Sequence, residues 1–145
     1  MNSQQPSDPY RNLVVAIRRV SNQLDTAISK FLKKFAITHA QFNILRILQA
    51  KYPESIFVGS IKEKLLFANS DMTRLLDRLV AKELVERFTC PENRRKVNVK
   101  LSPQGIILLE QIMPELTQLI HSFFVEEVTE EEVQQVLQVL QKIKV

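Results

Sequence analysis

The stretch Asn69–Leu101 constrains the fold of this chain more than any other part. It begins with apolar residues at the three- and four-residue spacing of a helix that buries one face. Two segments that alternate apolar and polar residues follow, as in paired strands, with a turn rich in Arg and Lys between them. A helix beside a basic hairpin is typical of domains that bind nucleic acid.

The helix of this stretch has an apolar stripe made of Met72, Leu75, Leu76, Leu79 and Val80. Asn69 or Ser70 is predicted to cap it. Its other faces are polar, which has two interpretations. They are exposed to solvent and nothing more, or they contact DNA, because the first residues of a recognition helix meet base edges. Arg74 is the strongest candidate, since Arg can bind guanine through two hydrogen bonds. The predicted DNA-binding residues here are Ser70, Asp71, Thr73, Arg74 and Arg78.

The turn of the hairpin is predicted to be Pro91–Lys96, with three consecutive cations at Arg94, Arg95 and Lys96. One interpretation is a tip that serves only solubility. The other is insertion into the minor groove, whose negative potential attracts Arg. Two further cations, on the helix before Asn69, are predicted phosphate contacts. They are Lys62 and Lys64.

The segments before this stretch are predicted to be helical, apart from one short strand. Asp8 and Pro9 begin a helix of roughly 25 residues, as N-cap and first helical residue. A striped terminal helix of this length is more often part of a subunit interface than of a single-chain core. Thr38 begins the next helix with a capping box. Ile56–Val58 is predicted to pair with the hairpin as a small strand, and Ser60 to cap a helix that ends near Phe67.

Two more amphipathic helices follow the hairpin. Ser102 and Pro103 begin the first, and a capping box at Thr129 begins the second. The charge is uneven along the chain: it is net +5 over residues 1–61, +4 over 62–100 and −5 over 101–145. A basic N-terminal part and an acidic C-terminal part favour a polyanionic partner that binds to one face of the protein.

Composition excludes several classes of function. Two glycines in 145 residues leave no Gly-rich phosphate loop, and no apolar run approaches the ~20 residues of a membrane span. Cys90 has no second cysteine to pair with, so we expect a reducing cytoplasm, and we interpret Cys90 as a half-buried strand residue. His39 and His121 are too few for a metal site, and no spacing places catalytic groups together. We expect no enzyme, no cofactor and no metal.

Three segments carry a resemblance to a known family: SDMTRLLDRL from Ser70, KELVER from Lys82 and NRRKVNVKLS from Asn93. They resemble the recognition helix, the Lys-Gly-Leu-Val-x-Arg segment and the Asp-x-Arg-x-x-x-Val-x-Leu-Thr wing of the MarR family of bacterial winged helix-turn-helix regulators. The resemblance covers nearly the whole chain and includes Gly105. The resemblance also implies that Asp77 pairs with an Arg of the protein itself rather than with DNA. Asn93 stands in place of the wing Asp, so a neutral hydrogen bond replaces an ion pair there.

The resemblance implies a mainly α fold with a small β wing, in one domain over residues 1–145. A winged helix-turn-helix DNA-binding lobe, 36–102, would be flanked by helical dimerisation regions at 8–35 and 103–145. The resemblance implies a homodimeric transcriptional regulator that binds a palindromic operator in double-stranded DNA. A repressor is expected before an activator. A small aromatic ligand would release the DNA. An architectural DNA-binding protein without sequence preference and a helical protein-interaction module are the alternatives.

Overall fold

The computed structural model describes residues 8–65 and 71–145. The chain divides into two compact units, Met1–Leu109 and Glu110–Val145. The first contains most of the helices and a three-stranded antiparallel sheet of order β1-β3-β2. The elements are α1 Pro9–Leu32, a 3₁₀ segment Lys33–Phe35, α2 His39–Gln49, β1 Ile56–Phe57, α3 Val58–Lys64, α4 Met72–Ala81, β2 Val85–Cys90, β3 Asn93–Leu101, α5 Pro103–Ser122 and α6 Glu130–Lys142.

Side-chain caps begin several helices where the sequence predicts them. Asp8 accepts a hydrogen bond of 3.0 Å from the backbone N–H of Tyr10 at the start of α1. Both predicted capping boxes are present, at Thr38 and at Thr129. The backbone N–H of Thr129 donates to Glu132 at 2.8 Å, and this bond, with a second from the Thr129 hydroxyl, lowers the pKa of the Glu132 carboxyl.

The first unit is built around a core that the sheet and the helices share. α2 contacts α1, α3, α4 and β3, so it lies at the centre of this unit. Ile56 pairs with Val99, which confirms the predicted small strand and its partner. The side chains with 1% exposure or less in this unit are Leu32, Ile44, Leu45, Leu48, Ile61, Leu79, Val99, Leu101 and Leu109.

The start of α3 differs from the prediction. The helix begins at Val58 and ends at Lys64, so Ser60 lies inside it rather than at its cap. The N-cap is Phe57, whose backbone is extended (φ −65°, ψ 132°) because it also ends β1. Pairing with β3 therefore sets where the helix begins, ahead of the local preference of Ser for a cap. The helix also ends before the predicted end near Phe67, because Leu65 is already extended (φ −75°, ψ 130°). Phe67 itself lies outside the described residues.

In the second unit, Ile112 and Leu116 of α5 are buried, whereas α6 has no buried residue. The apolar stripe of α6 is exposed, with 55% of Val136 accessible to solvent. Within the described part of the chain, no helix combines the length and the hydrophobicity that crossing a membrane requires.

Candidate nucleic-acid interface

The side chain that caps α4 is Asp71. Its Oδ1 accepts a hydrogen bond of 3.2 Å from the backbone N–H of Arg74. The predicted cap at Asn69 or Ser70 is therefore wrong, and these two residues lie outside the described part of the chain. All three residue types favour the N-cap position, and the carboxylate of Asp71 adds a favourable interaction with the helix dipole.

Three members of the predicted apolar stripe of α4 are buried, since Met72, Leu76 and Leu79 are each at most 2% exposed. The other two, Leu75 and Val80, are half-buried. The predicted DNA-binding residues of this helix lie on the other side. At about 100° per residue, Thr73, Arg74 and Arg78 fall within an arc of about 140°. All three are exposed. The helix therefore presents two guanidinium groups and a hydroxyl on one accessible face.

Asp77 lies on the same exposed side but is engaged by the protein itself. Its Oδ1 is 2.7 Å from Nη2 of Arg87, on β2. This confirms the prediction that Asp77 pairs with an Arg of the chain. The sequence does not single out Arg87 as that partner. The sequence feature that could have identified Arg87 is the alternation of side chains along β2, which places Arg87 on the same face of the strand as the buried Val85.

The chain passes from α4 to β2 through a Schellman motif. The backbone N–H of Glu83 donates to the carbonyl of Val80 at 2.9 Å, and that of Leu84 to the carbonyl of Leu79 at 3.0 Å. Glu83 takes up the left-handed conformation (φ 59°) that this motif requires. Glycine usually fills this position in the family's pattern.

The cations of the hairpin lie on β3 and not in its turn. β3 begins at Asn93, so only Pro91 and Glu92 separate it from β2. The predicted six-residue turn Pro91–Lys96 is therefore wrong. Pro91 and Asn93 favour a turn locally, but the pairing of Cys90 with Asn93 limits that turn to two residues.

The strand pairing is irregular at the cations. Thr89 pairs with Val97, and Cys90 pairs with Asn93. Residues 94–96 of β3 therefore lie opposite a single step of β2, which makes a bulge. Arg94, Arg95 and Lys96 are all exposed. The alternation predicted further along β3 is confirmed, since Val99 and Leu101 are buried.

The remaining predicted residues lie nearby in the same unit. Lys62 and Lys64 are exposed in the last turn of α3, and both α3 and α4 contact α2. Cys90 is half-buried on β2, as predicted. Over residues 8–65 and 71–145, no three His, Cys, Asp or Glu side chains are grouped so that they could hold a metal ion.

Comparison with known proteins decides the family. The family model described as MarR matches residues 37–97. The Multiple antibiotic resistance protein MarR of Escherichia coli is 32% identical over 127 residues, which cover 88% of this chain and 87% of that protein. This chain belongs to the MarR family. The HTH-type transcriptional regulator PecS of Dickeya dadantii is 30% identical over 104 residues, and the match covers 71% of this chain but only 63% of PecS.

A solved structure of a MarR-family protein has the same fold. It is the crystal structure of a mutant MarR from E. coli complexed with operator DNA, with a TM-score of 0.78 and 30% identity, covering 94% of this chain and 98% of that one. The winged helix-turn-helix prediction is therefore confirmed. α3 and α4 form the helix-turn-helix, and β2 and β3 form the wing. MarR-family members are transcription regulators, so the chain is a regulator and not an enzyme.

Proposed function

We propose that this MarR-family chain is a homodimeric, sequence-specific DNA-binding regulator that represses transcription from an inverted repeat. One observation carries the proposal: the exposed Arg face of α4 and the exposed cations of the wing lie in one compact unit, joined by the pair of Asp77 and Arg87. The crystal structure of E. coli MarR with operator DNA supports the same use of this fold.

We assign α4 to the major groove and the wing to the minor groove. Arg74 and Arg78 suit guanine, and the carboxylate of Asp71 suits the amino group of cytosine. Arg95 enters the minor groove, where the negative potential is strongest. Phosphate contacts hold the register without reading sequence. The residues proposed for these contacts are Lys62, Lys64, Arg94 and Lys96. Ser70 and Thr73 are proposed, with Arg74 and Arg78, to meet base edges.

Exposed apolar side chains support the dimer. Tyr10 of α1 is 79% exposed and Val14 is 55% exposed, while α6 exposes Val136 and Leu140. Apolar stripes of this kind are usually covered by a partner. We therefore assign residues 8–35 and 103–145 to dimerisation and 36–102 to DNA binding. Two recognition helices would then meet half-sites about one turn apart, ~10 bp.

Control by a small aromatic ligand completes the proposal. A ligand that binds better to a dimer with the wrong spacing of recognition helices would shift the population away from the DNA-bound form. Such a regulator works in the cytoplasm, where the DNA is.

Selection of bound fragments from a genomic library tests sequence specificity. We expect an enriched palindrome with half-sites one helical turn apart. Fragments retained without an enriched sequence would support an architectural DNA-binding protein instead. If no DNA is retained at low salt, the proposed DNA-binding function is wrong, and that result would favour a helical interaction module.

Arg95→Ala tests the wing directly. We expect DNA affinity at fixed salt to fall about tenfold or more, because a charge-assisted hydrogen bond contributes roughly 1.5 kcal/mol. The slope of log K against log salt should fall by about 0.9 for each phosphate that the variant no longer neutralises. Arg46→Ala is the matched control, since Arg46 is exposed on α2 and hydrogen-bonds to Gln49 within its own helix. Equal affinities for the two variants would refute the role of the wing.

A further inference from the structure

Asn93 occupies the position where the wing changes from a regular ladder to a bulge. It is the first residue of β3, and it pairs with Cys90, the last residue of β2. The next pair along the ladder is Thr89 with Val97. Asn93 therefore marks one end of the bulge formed by residues 94–96, and Val97 marks the other.

The side chain of Asn93 also contacts the bulge. Its Oδ1 accepts a hydrogen bond of 3.1 Å from the backbone N–H of Arg95. This contact closes an Asx turn, which fixes the backbone two residues ahead of the Asn. Arg95, the middle residue of the bulge, is thus held through its main chain. Its guanidinium takes no part in this hydrogen bond.

Because the side chain of Asn93 is neutral, it leaves the positive charge of the hairpin tip unchanged. Residues 91–96 contain three cations and one carboxylate, that of Glu92, so the net charge of the tip is +2. An Asp at position 93 could make the same hydrogen bond to Arg95, because a carboxylate oxygen is an equally good acceptor. It would, however, lower the net charge of the tip to +1.

We propose that Asn93 is the positioning residue of the wing. Its side-chain oxygen closes the bulge that presents Arg94, Arg95 and Lys96, and its neutral amide adds no negative charge beside them. The first half of this proposal concerns the free protein, and the second rests on the proposed DNA-binding function.

Two substitutions separate the two halves. Asn93→Ala removes the acceptor and leaves the charge unchanged. In the free protein we expect the Arg95 amide to exchange with solvent roughly two- to tenfold faster, as the loss of one hydrogen bond predicts. Residue-resolved hydrogen exchange by NMR measures this without DNA. An exchange rate equal to that of the native protein would overturn the positioning role.

Asn93→Asp keeps the acceptor and changes the charge. We expect the Arg95 amide to exchange no faster than in the native protein. The affinity for operator DNA at low salt should fall roughly two- to thirtyfold. This range takes the usual strength of an exposed ion pair for the new carboxylate and counts it once for each of the two wings of a dimer. The loss should shrink as salt rises.

Asn22→Asp is the control, since Asn22 is exposed on α1 and undergoes the same chemical change. If Asn93→Asp binds operator DNA no more weakly than this control, the charge half of the proposal is wrong. The outcomes also separate the inference from the function on which it rests. If the native protein retains no DNA, the proposed function fails, while the exchange rate of Arg95 in Asn93→Ala still decides whether Asn93 holds the bulge.

Discussion

Glu83 is strained where it stands, and replacing it should stabilise the protein. Its φ of 59° lies in the left-handed region, which costs an L-residue about 1–2 kcal/mol relative to glycine. Glycine loses more conformational entropy on folding, by about 0.4–1 kcal/mol. The difference gives Glu83→Gly a net stabilisation of about 0.8 kcal/mol.

Glycine at position 83 would keep the main-chain hydrogen bonds of Glu83. The N–H of Glu83 donates to Val80, and its carbonyl accepts from the hydroxyl of Ser102 at 2.6 Å. Removing the carboxylate from the C-terminal end of α4 is also favourable, by about 0.3–1 kcal/mol at low ionic strength. Glu83→Ala removes that charge but retains the strained backbone, so the comparison of the two variants isolates the backbone effect.

Thermal unfolding at a fixed protein concentration measures the effect. For a chain of this length, about 0.8 kcal/mol corresponds to a rise in Tm of about 2–3 °C for Glu83→Gly over Glu83→Ala. The concentration must be fixed because association changes the apparent Tm of an oligomer. A Tm for Glu83→Gly equal to or below that of Glu83→Ala would refute the argument from backbone strain.

Two further substitutions test how the DNA-binding unit is packed. Gly105→Ala should destabilise by about 1–3 kcal/mol in denaturant unfolding, because its Cβ would lie 2.3 Å from the carbonyl oxygen of Leu84. Gly59→Ala is the control and should cost less, since its Cβ would meet the exposed, movable ring of Phe57. A double-mutant cycle of Asp77→Asn and Arg87→Gln should give a coupling energy of about 0.2–1 kcal/mol, the usual strength of a half-exposed pair. A coupling energy of zero would show that the pair does not hold the wing to α4.

Much of the fold follows from local pattern, and two of the errors in the prediction have non-local causes, whereas the choice of Asp71 as the cap of α4 is a local one. The stripe of α4, the alternation along β3 and the capping boxes depend on residues close in sequence. By contrast, the start of α3 depends on the pairing of β1 with β3, and the position of the cations depends on the register of β2 against β3. A helix or turn preference of less than 1 kcal/mol per residue cannot oppose such pairing.

The candidate site shows the same division. The sequence predicts exposed cations at Arg94, Arg95 and Lys96, and they are exposed. That they form a bulge closed by Asn93 could not be predicted, because the three-residue change of register between Thr89–Val97 and Cys90–Asn93 has no local signature. Arg87 escapes prediction for a similar reason, since its partner Asp77 lies ten residues away on another element. The DNA contacts assigned to these residues stay predictions.

The relative strength of the links between α4 and the wing indicates which of them sets the geometry. The ion pair of Asp77 and Arg87 is partly exposed, with 55% and 35% of the two side chains accessible, so its contribution is small. The Schellman motif joins α4 to β2 through two main-chain hydrogen bonds, with Leu79 and Leu84 buried beside them. The ammonium group of Lys82 further ties the end of α4 to the carbonyl of Ala36. The main-chain motif and the buried leucines are therefore the stronger link between α4 and the wing, and the ion pair is the weaker one. Loss of Arg87 should accordingly lower the free energy of unfolding by no more than about 1 kcal/mol, which denaturant unfolding measures.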